Sequence, residues 1–222
     1  MIMQQPVKHS VRVVPAILTD SISELSRMVA LANRFAPFVQ VDIMDGDFVP
    51  AMSIGVADLR LQDIRFGWEA HLMVAHPLRY LEPLRDAGAV RVTFHIESAD
   101  VPALVVSQAR LMGLGVGVAL NPPTAVGDIA QLLEDVDNVL LMTVYPGCYG
   151  APFVPEVMPK VGQIRAFSSQ VEIGVDGGIK ETNLVEVARQ GVDTICVGSA
   201  VFSSLDPEAS YLRLASLVRQ LK

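Results

Sequence analysis

Short apolar runs rich in β-branched residues recur at 11–18, 38–44, 68–74, 91–96, 115–120, 139–144, 171–175 and 194–197, their starts 23 to 32 residues apart. That spacing leaves room for one crossover helix between most neighbours, so the chain reads as strand, helix, strand throughout. Several runs, VLLMTV at 139–144 among them, are apolar on both faces, as a parallel sheet covered on both sides requires. The intervening segments carry helical signals. Ser21 with Glu24 three residues on predicts a capping box, and Ile22, Leu25, Val29 and Ala32 follow near helical spacing. Gly88, Gly113 and Gly191 stand just before strands, where a left-handed residue would stop the preceding helix. Eight such units without a linker predict an α/β fold, a single (β/α)₈ TIM barrel over 1–222 with 1–10 as an N-terminal extension. A doubly wound open sheet is the competing architecture. In both, chemistry gathers at the C-terminal ends of the strands.

Composition narrows the class. Of 222 residues, 51% are hydrophobic and 18% charged, a core-forming balance that excludes disorder as the main state. Net charge is −7 and no Lys/Arg cluster appears, which argues against nucleic acid or an anionic membrane as partner. No apolar run approaches the roughly 18 residues of a bilayer span, and MIMQQPVKHS lacks the apolar stretch of a signal peptide, so a cytoplasmic location is expected. Cys148 and Cys196 form neither a CxxC pair nor a metal-finger spacing and are read as reduced thiols.

The polar residues at the strand ends then need explaining. Alternation in the second run puts Gln40, Asp42 and Met44 on one face and Val41 and Ile43 on the other. A carboxylate inside so apolar a run calls for a paired charge or a metal, unless Asp42 merely caps a loop. Asp45-Gly46 is turn chemistry and is read as structural. The third run carries His71 and the seventh ends at Asp176. Each alone has a bland reading, a hydrogen-bonded core histidine and the start of a turn. Together, carboxylates on strands 2 and 7 facing across a barrel suit removing a proton from one side of a carbon and delivering one to the other, as an epimerase does. His95 on the fourth run is either a pocket residue or a partner behind the site. Met44, Met73 and Met142 fall near strand ends, as core filler or as site lining. Glycines in the last three loops, Gly147 and Gly150, Gly177 and Gly178, and Gly198 with Ser199, lie where barrels commonly bind phosphate.

At these residues the chain resembles the ribulose-phosphate 3-epimerase family over roughly nine-tenths of its length. The matching segments are Pro15-Ala16-Ile17-Leu18, Val41-Asp42-Ile43-Met44-Asp45-Gly46 with Phe48-Val49-Pro50, His71-Leu72-Met73, Ala119-Leu120-Asn121-Pro122, Pro146-Gly147, Val175-Asp176-Gly177-Gly178-Ile179 and Val197-Gly198-Ser199-Ala200. The resemblance implies interconversion of D-ribulose 5-phosphate and D-xylulose 5-phosphate, with Asp42 and Asp176 as acid and base at C3 through a cis-enediolate. It further implies a divalent metal (Zn, Fe, Mn or Mg) on Asp42, His71 and Asp176. Substrate contacts would come from His71, Met44, Met73, Met142, Gly147, Gly150, Gly177, Gly178, Gly198 and Ser199. A homo-oligomer acting on a small-molecule pentose phosphate is expected.

The departures cluster at the site mouth. Gln40 stands where the family has a second histidine ligand, and an amide oxygen binds zinc far more weakly than imidazole, so a weakened or absent metal site is expected. Ala16 replaces the family's serine, Asp47 and Ala51 replace its His and Asn, Cys148-Tyr149 replaces Phe-Gly, and Ala151 replaces Gln. The alternatives are a non-catalytic sugar-phosphate binder or regulator, and an epimerase of another ketose phosphate such as allulose 6-phosphate.

Overall fold

The structure is a computed structural model that describes residues 11–145 and 152–221. The proposed extension, 1–10, lies outside them. Eight strands, β1 (Arg12–Ile17), β2 (Phe38–Met44), β3 (Gly67–Met73), β4 (Arg91–His95), β5 (Gly115–Leu120), β6 (Asn138–Met142), β7 (Glu172–Asp176) and β8 (Thr194–Val197), pair in chain order. All pairings are parallel, and β8 returns to β1 to close a barrel, so the open-sheet alternative is excluded.

The period of two along each strand builds two interiors. Outward residues such as Val39, Val41 and Ile43 on β2, or Ile173 and Val175 on β7, join the main apolar core between sheet and helices. Inward residues form a different population: Gln40 and Asp42, Glu69 and His71, Thr93 and His95, Thr194 and Cys196 are all buried inside the barrel. The run at 139–144 is apolar on both faces because Val139 and Leu141 meet the outer core while Leu140 and Met142 meet a small inner cluster with Val14, Ala16 and Cys196. Low in the barrel the inward residues are charged. Arg91 bonds Glu69 through Nε at 2.6 Å and reaches Glu172 at 3.3 Å, and Arg12 closes on Glu172 at 2.6 Å.

The outer layer comprises α1 (Ile22–Phe35), α2 (Val56–Leu59), α3 (Leu81–Asp86), α4 (Pro102–Leu111), α5 (Pro159–Phe167), α6 (Glu181–Arg189), α7 (Ser199–Phe202) and α8 (Pro207–Arg219). In α1, Leu25, Met28, Val29 and Ala32 are buried, and each larger side chain among them contributes about 1.5–3 kcal/mol of apolar burial. Ile22 begins the helix beyond the cover of the sheet and is exposed. Ser21 caps the helix by accepting from Glu24 N at 3.4 Å. The expected box is only half formed, because the Glu24 carboxylate turns instead to Arg27 at 2.6 and 2.8 Å. Gly88, Gly113 and Gly191 have φ of 90°, 76° and 91° and end their helices as the sequence suggests.

The helical reading fails between β5 and β6, where the connection is a single 3₁₀ turn, Val126–Ile129. Pro122 and Pro123 restrict its start and Gly127 interrupts it, leaving too short a stretch for a stable α-helix. Between β2 and β3 the helix is likewise only one turn, α2. No helix among the described residues is long and apolar enough to cross a membrane.

Candidate active site

Barrel closure brings the inward residues of β2, β3, β7 and β8 to one mouth. Register sets their heights: Asp42 lies beside His71 and Met44 beside Met73 across β2 and β3, Met142 beside Asp176 across β6 and β7, and Asp176 beside Cys196 across β7 and β8. Two hydroxyls pin the strand ends that carry the acids. Ser53 Oγ accepts from Met44 N at 2.9 Å and donates to the Asp42 carbonyl at 3.0 Å. Thr143 Oγ1 donates to the carbonyls of Asp176 and Gly177 at 2.9 and 2.6 Å.

Above the acids opens a cavity of about 540 Å³ whose lining includes Asp42, Met44, Met73, Met142 and Asp176. Gly177, Gly178, Gly198 and Ser199 also line it. A Cβ at Gly177 (φ +112°) would stand 2.4 Å from Val144 Cγ2, and one at Gly178 (φ +67°) would stand 2.8 Å from the backbone nitrogen of Phe153. Glycine is therefore required at both, by conformation and by close approach. Gly147 and Gly150, with Cys148, lie outside the described residues.

Asp42 Oδ1 lies 2.9 Å from His71 Nδ1, and Asp176 Oδ2 lies 3.6 Å from the same nitrogen. His71 is fully buried beneath the carboxylates and takes no part in the cavity wall. Its Nε2 meets His95 Nε2 at 2.9 Å, and His95 Nδ1 faces Glu97 Oε2 at 3.2 Å. Glu97 in turn accepts from Asn121 N and from the Thr124 hydroxyl. His95 is thus a partner behind the site. A neutral His95 whose Nδ1–H donates to Glu97 presents an Nε2 lone pair to His71, so His71 donates from Nε2 and keeps Nδ1 turned toward the acids. Burial pushes His95 down to about 4, against the pull of Glu97. Burial also opposes charge on His71, but the Asp42 hydrogen bond and the charges of Asp42, Asp176 and Glu69 reverse that, raising its pKa.

Burial, followed by the neighbouring Asp42 charge, lifts the Asp176 carboxyl to about 6, with His71 and Gln40 pulling the other way. The consequence for stability has a definite sign. A carboxyl whose folded pKa exceeds its unfolded value binds more protons in the native state, so stability falls as pH rises from about 4 through about 6. Asp176→Asn removes this dependence. The variant is expected to be more stable than the unaltered chain above pH 6, by on the order of 2 kcal/mol, and to lose the advantage near pH 4. Urea unfolding at the two pH values checks it, and equal midpoints at both would contradict it.

Gln40 supplies a contact that the sequence does not reveal. Its amide nitrogen donates to Asp42 Oδ1 at 2.8 Å and to Asp176 Oδ2 at 2.7 Å, while its Oε1 accepts from Cys196 Sγ at 3.0 Å. Burial first, then the charges of Asp176, Glu69 and Asp42, push the Cys196 pKa well up, so the sulfur keeps its proton. Cys196 is absent from the sequence-derived site. Its only signal is the alternation of β8, which turns Thr194 and Cys196 inward. Asp45 holds the turn as expected: burial alone would raise its pKa, but backbone N–H groups of Phe48, Ala75 and Asp47 bond the carboxylate and keep it low.

Asp42, His71 and Asp176 offer ligand atoms within 4.8 Å of one another, a set suited to a divalent cation. His71 is oriented for it from behind by His95 and Glu97, as metal-binding imidazoles generally are. Residue 40 does not complete the set as it stands, because it turns N–H groups rather than a lone pair toward the same oxygens.

Residues 12–202 match the model of the family described as "Ribulose-phosphate 3 epimerase family". A ribulose-phosphate 3-epimerase of Mycobacterium bovis is 36% identical over 214 residues, covering 94% of this chain and 92% of that protein. The "ribulose-phosphate 3-epimerase, cytoplasmic isoform" of Oryza sativa is 37% identical over 207 residues, covering 88% and 89%. Among solved structures, the 3-hexulose-6-phosphate synthase from Salmonella typhimurium superposes with a TM-score of 0.71 at 17% identity, covering 96% of this chain and 100% of that one. At that identity the likeness speaks to the barrel alone.

Proposed function

Because this chain belongs to the ribulose-phosphate 3-epimerase family, we propose that it interconverts D-ribulose 5-phosphate and D-xylulose 5-phosphate by proton transfer between Asp42 and Asp176. The chain is an isomerase of the epimerase type, and family membership carries a pentose phosphate as its substrate class. The observation that carries the two-acid reading is the juxtaposition of the two carboxylates, one on β2 and one on β7, both bonded to a single amide nitrogen beneath the cavity.

With C3 of the sugar between them, one carboxylate removes the C3 proton and the other, as its acid, protonates the opposite face of the resulting cis-enediolate. The reverse reaction exchanges the roles. A carboxyl held near 6 takes and releases a proton close to neutral pH, which suits a reversible exchange. Met44, Met73 and Met142 surround the carbon chain with thioethers that exclude water and offer only weak acceptors to the developing charge. Gly177, Gly178, Gly198 and Ser199, in the last two loops, line the cavity where barrels of this kind commonly bind a phosphate. A divalent cation held by Asp42, His71 and Asp176 would neutralise negative charge on the sugar oxygens.

Proton NMR of ribulose 5-phosphate with the protein in D₂O tests this directly, in parallel samples with zinc, iron(II), manganese or chelator. Loss of the C3 proton signal with growth of xylulose 5-phosphate is the expected result. Saturable binding with no exchange under any metal condition would overturn the reading.

A further inference from the structure

The carboxamide of Gln40 is fully committed. Both hydrogens of its nitrogen are used, one on each carboxylate, and its oxygen accepts a hydrogen bond from the Cys196 thiol. Gln40 is 0% and Cys196 1% exposed, so water does not replace any of these partners. Turning the amide over would set its oxygen against two carboxylate oxygens and its N–H₂ against a protonated sulfur. The present orientation therefore has strong complementary partners at all three positions, whereas the reverse keeps only the weak acceptor that a thiol sulfur offers to an N–H.

A cation on Asp42, His71 and Asp176 needs the oxygens that the amide already holds, and gains a ligand from residue 40 only if the amide turns over. We propose that the Cys196 thiol sets the orientation of the Gln40 carboxamide, so that the amide cross-links the two acids and competes with a divalent cation for their oxygens. In its bearing on catalysis the inference rests on the reading of Asp42 and Asp176 as the acid/base pair, while the competition for their oxygens does not. It makes Gln40 and Cys196 positioning residues, acting through the carboxylates rather than on the sugar. It also adds a cause for weak metal binding to the one visible in sequence: residue 40 is a poorer ligand than imidazole, and residue 196 holds it turned away.

The test measures zinc(II) affinity of the full chain by competition with a chromophoric chelator, without substrate. Cys196→Val removes the donor at similar volume, and Cys196→Ser restores one. Loss of one neutral hydrogen bond that opposes the metal is expected to tighten zinc binding about three- to tenfold in Cys196→Val, while Cys196→Ser stays within about twofold of the unaltered chain. Gln40→His, which supplies an imidazole lone pair, is expected to bind more tightly than any of these. In parallel, the Gln40 side-chain amide signals in a ¹⁵N–¹H spectrum, assigned by their loss in Gln40→His, are expected to shift in Cys196→Val and to return toward their original positions in Cys196→Ser.

Equal zinc affinity in the unaltered, Val and Ser chains with unmoved Gln40 signals overturns the proposal. So does weaker binding in Cys196→Val, the result expected if the sulfur were itself a ligand. Both readouts are independent of turnover. A chain that shows the Val/Ser contrast but does not exchange the C3 proton keeps this inference and loses the functional one.

Discussion

Asp42→Asn or Asp176→Asn is expected to suppress epimerisation at C3, with turnover reduced about 10²- to 10⁴-fold, the range over which a positioned acid or base contributes. Each variant keeps a carbonyl oxygen where the Gln40 amide donates, so the side-chain scaffold has the means to persist. Neither variant alters Gly177, Gly178, Gly198 or Ser199, so thermal stabilisation by the pentose phosphate should survive. Growth of xylulose 5-phosphate reads the chemistry, and a melting shift with added sugar phosphate reads binding. Turnover within tenfold of the unaltered chain in either variant would remove the two-carboxylate scheme. A reaction that exchanges protons on two faces needs both groups, whichever direction is assayed.

Arg91→Met is expected to cost about 3–5 kcal/mol of stability, the usual consequence of leaving a buried charge without its partner. Glu69 is 3% exposed and its nearest cation is the Arg91 guanidinium at 2.6 Å. Arg91 also reaches Glu172 and lies 5.7 Å from the centre of the Phe38 ring. For a chain of this size the melting temperature should fall by on the order of 10 °C. Adding Glu69→Leu to Arg91→Met is expected to recover much of the loss, because replacing both members of a buried pair with apolar groups is far less costly than removing one. Calorimetry of the single and double variants decides it. A single variant within about 1 kcal/mol of the unaltered chain would show that water or Arg12 compensates Glu69.

The barrel was legible because each strand announces itself locally. The β2 sequence alternates Gln40, Asp42 and Met44 with Val41 and Ile43, and the fold turns the first set inward and the second outward. The acids and His71 are visible for the same reason: a polar residue inside an apolar strand stands out against its neighbours. The β5–β6 connection departs from the helical expectation because spacing alone counts residues without weighing Pro122, Pro123 and Gly127. The Glu24 carboxylate leaves the capping box because Arg27, three residues on, competes for it.

Cys196 and the amide bridge had no comparable signal. A cysteine within ICV looks like any small apolar residue, and nothing adjacent to Gln40 says that its amide will span two carboxylates. Asp42 and Asp176 are 134 residues apart in the chain, and Gln40 and Cys196 are 156 apart. Which residues face the barrel interior, and that acids, histidines and glycines gather at strand ends, could be read from the chain alone, since side-chain alternation and turn chemistry are properties of a few consecutive residues. Which of them touch could not. Closing the sheet from β8 to β1 sets the register that brings β7 and β8 against β2, and hydrogen-bond partners at 2.7 to 3.0 Å depend on that register rather than on any local pattern.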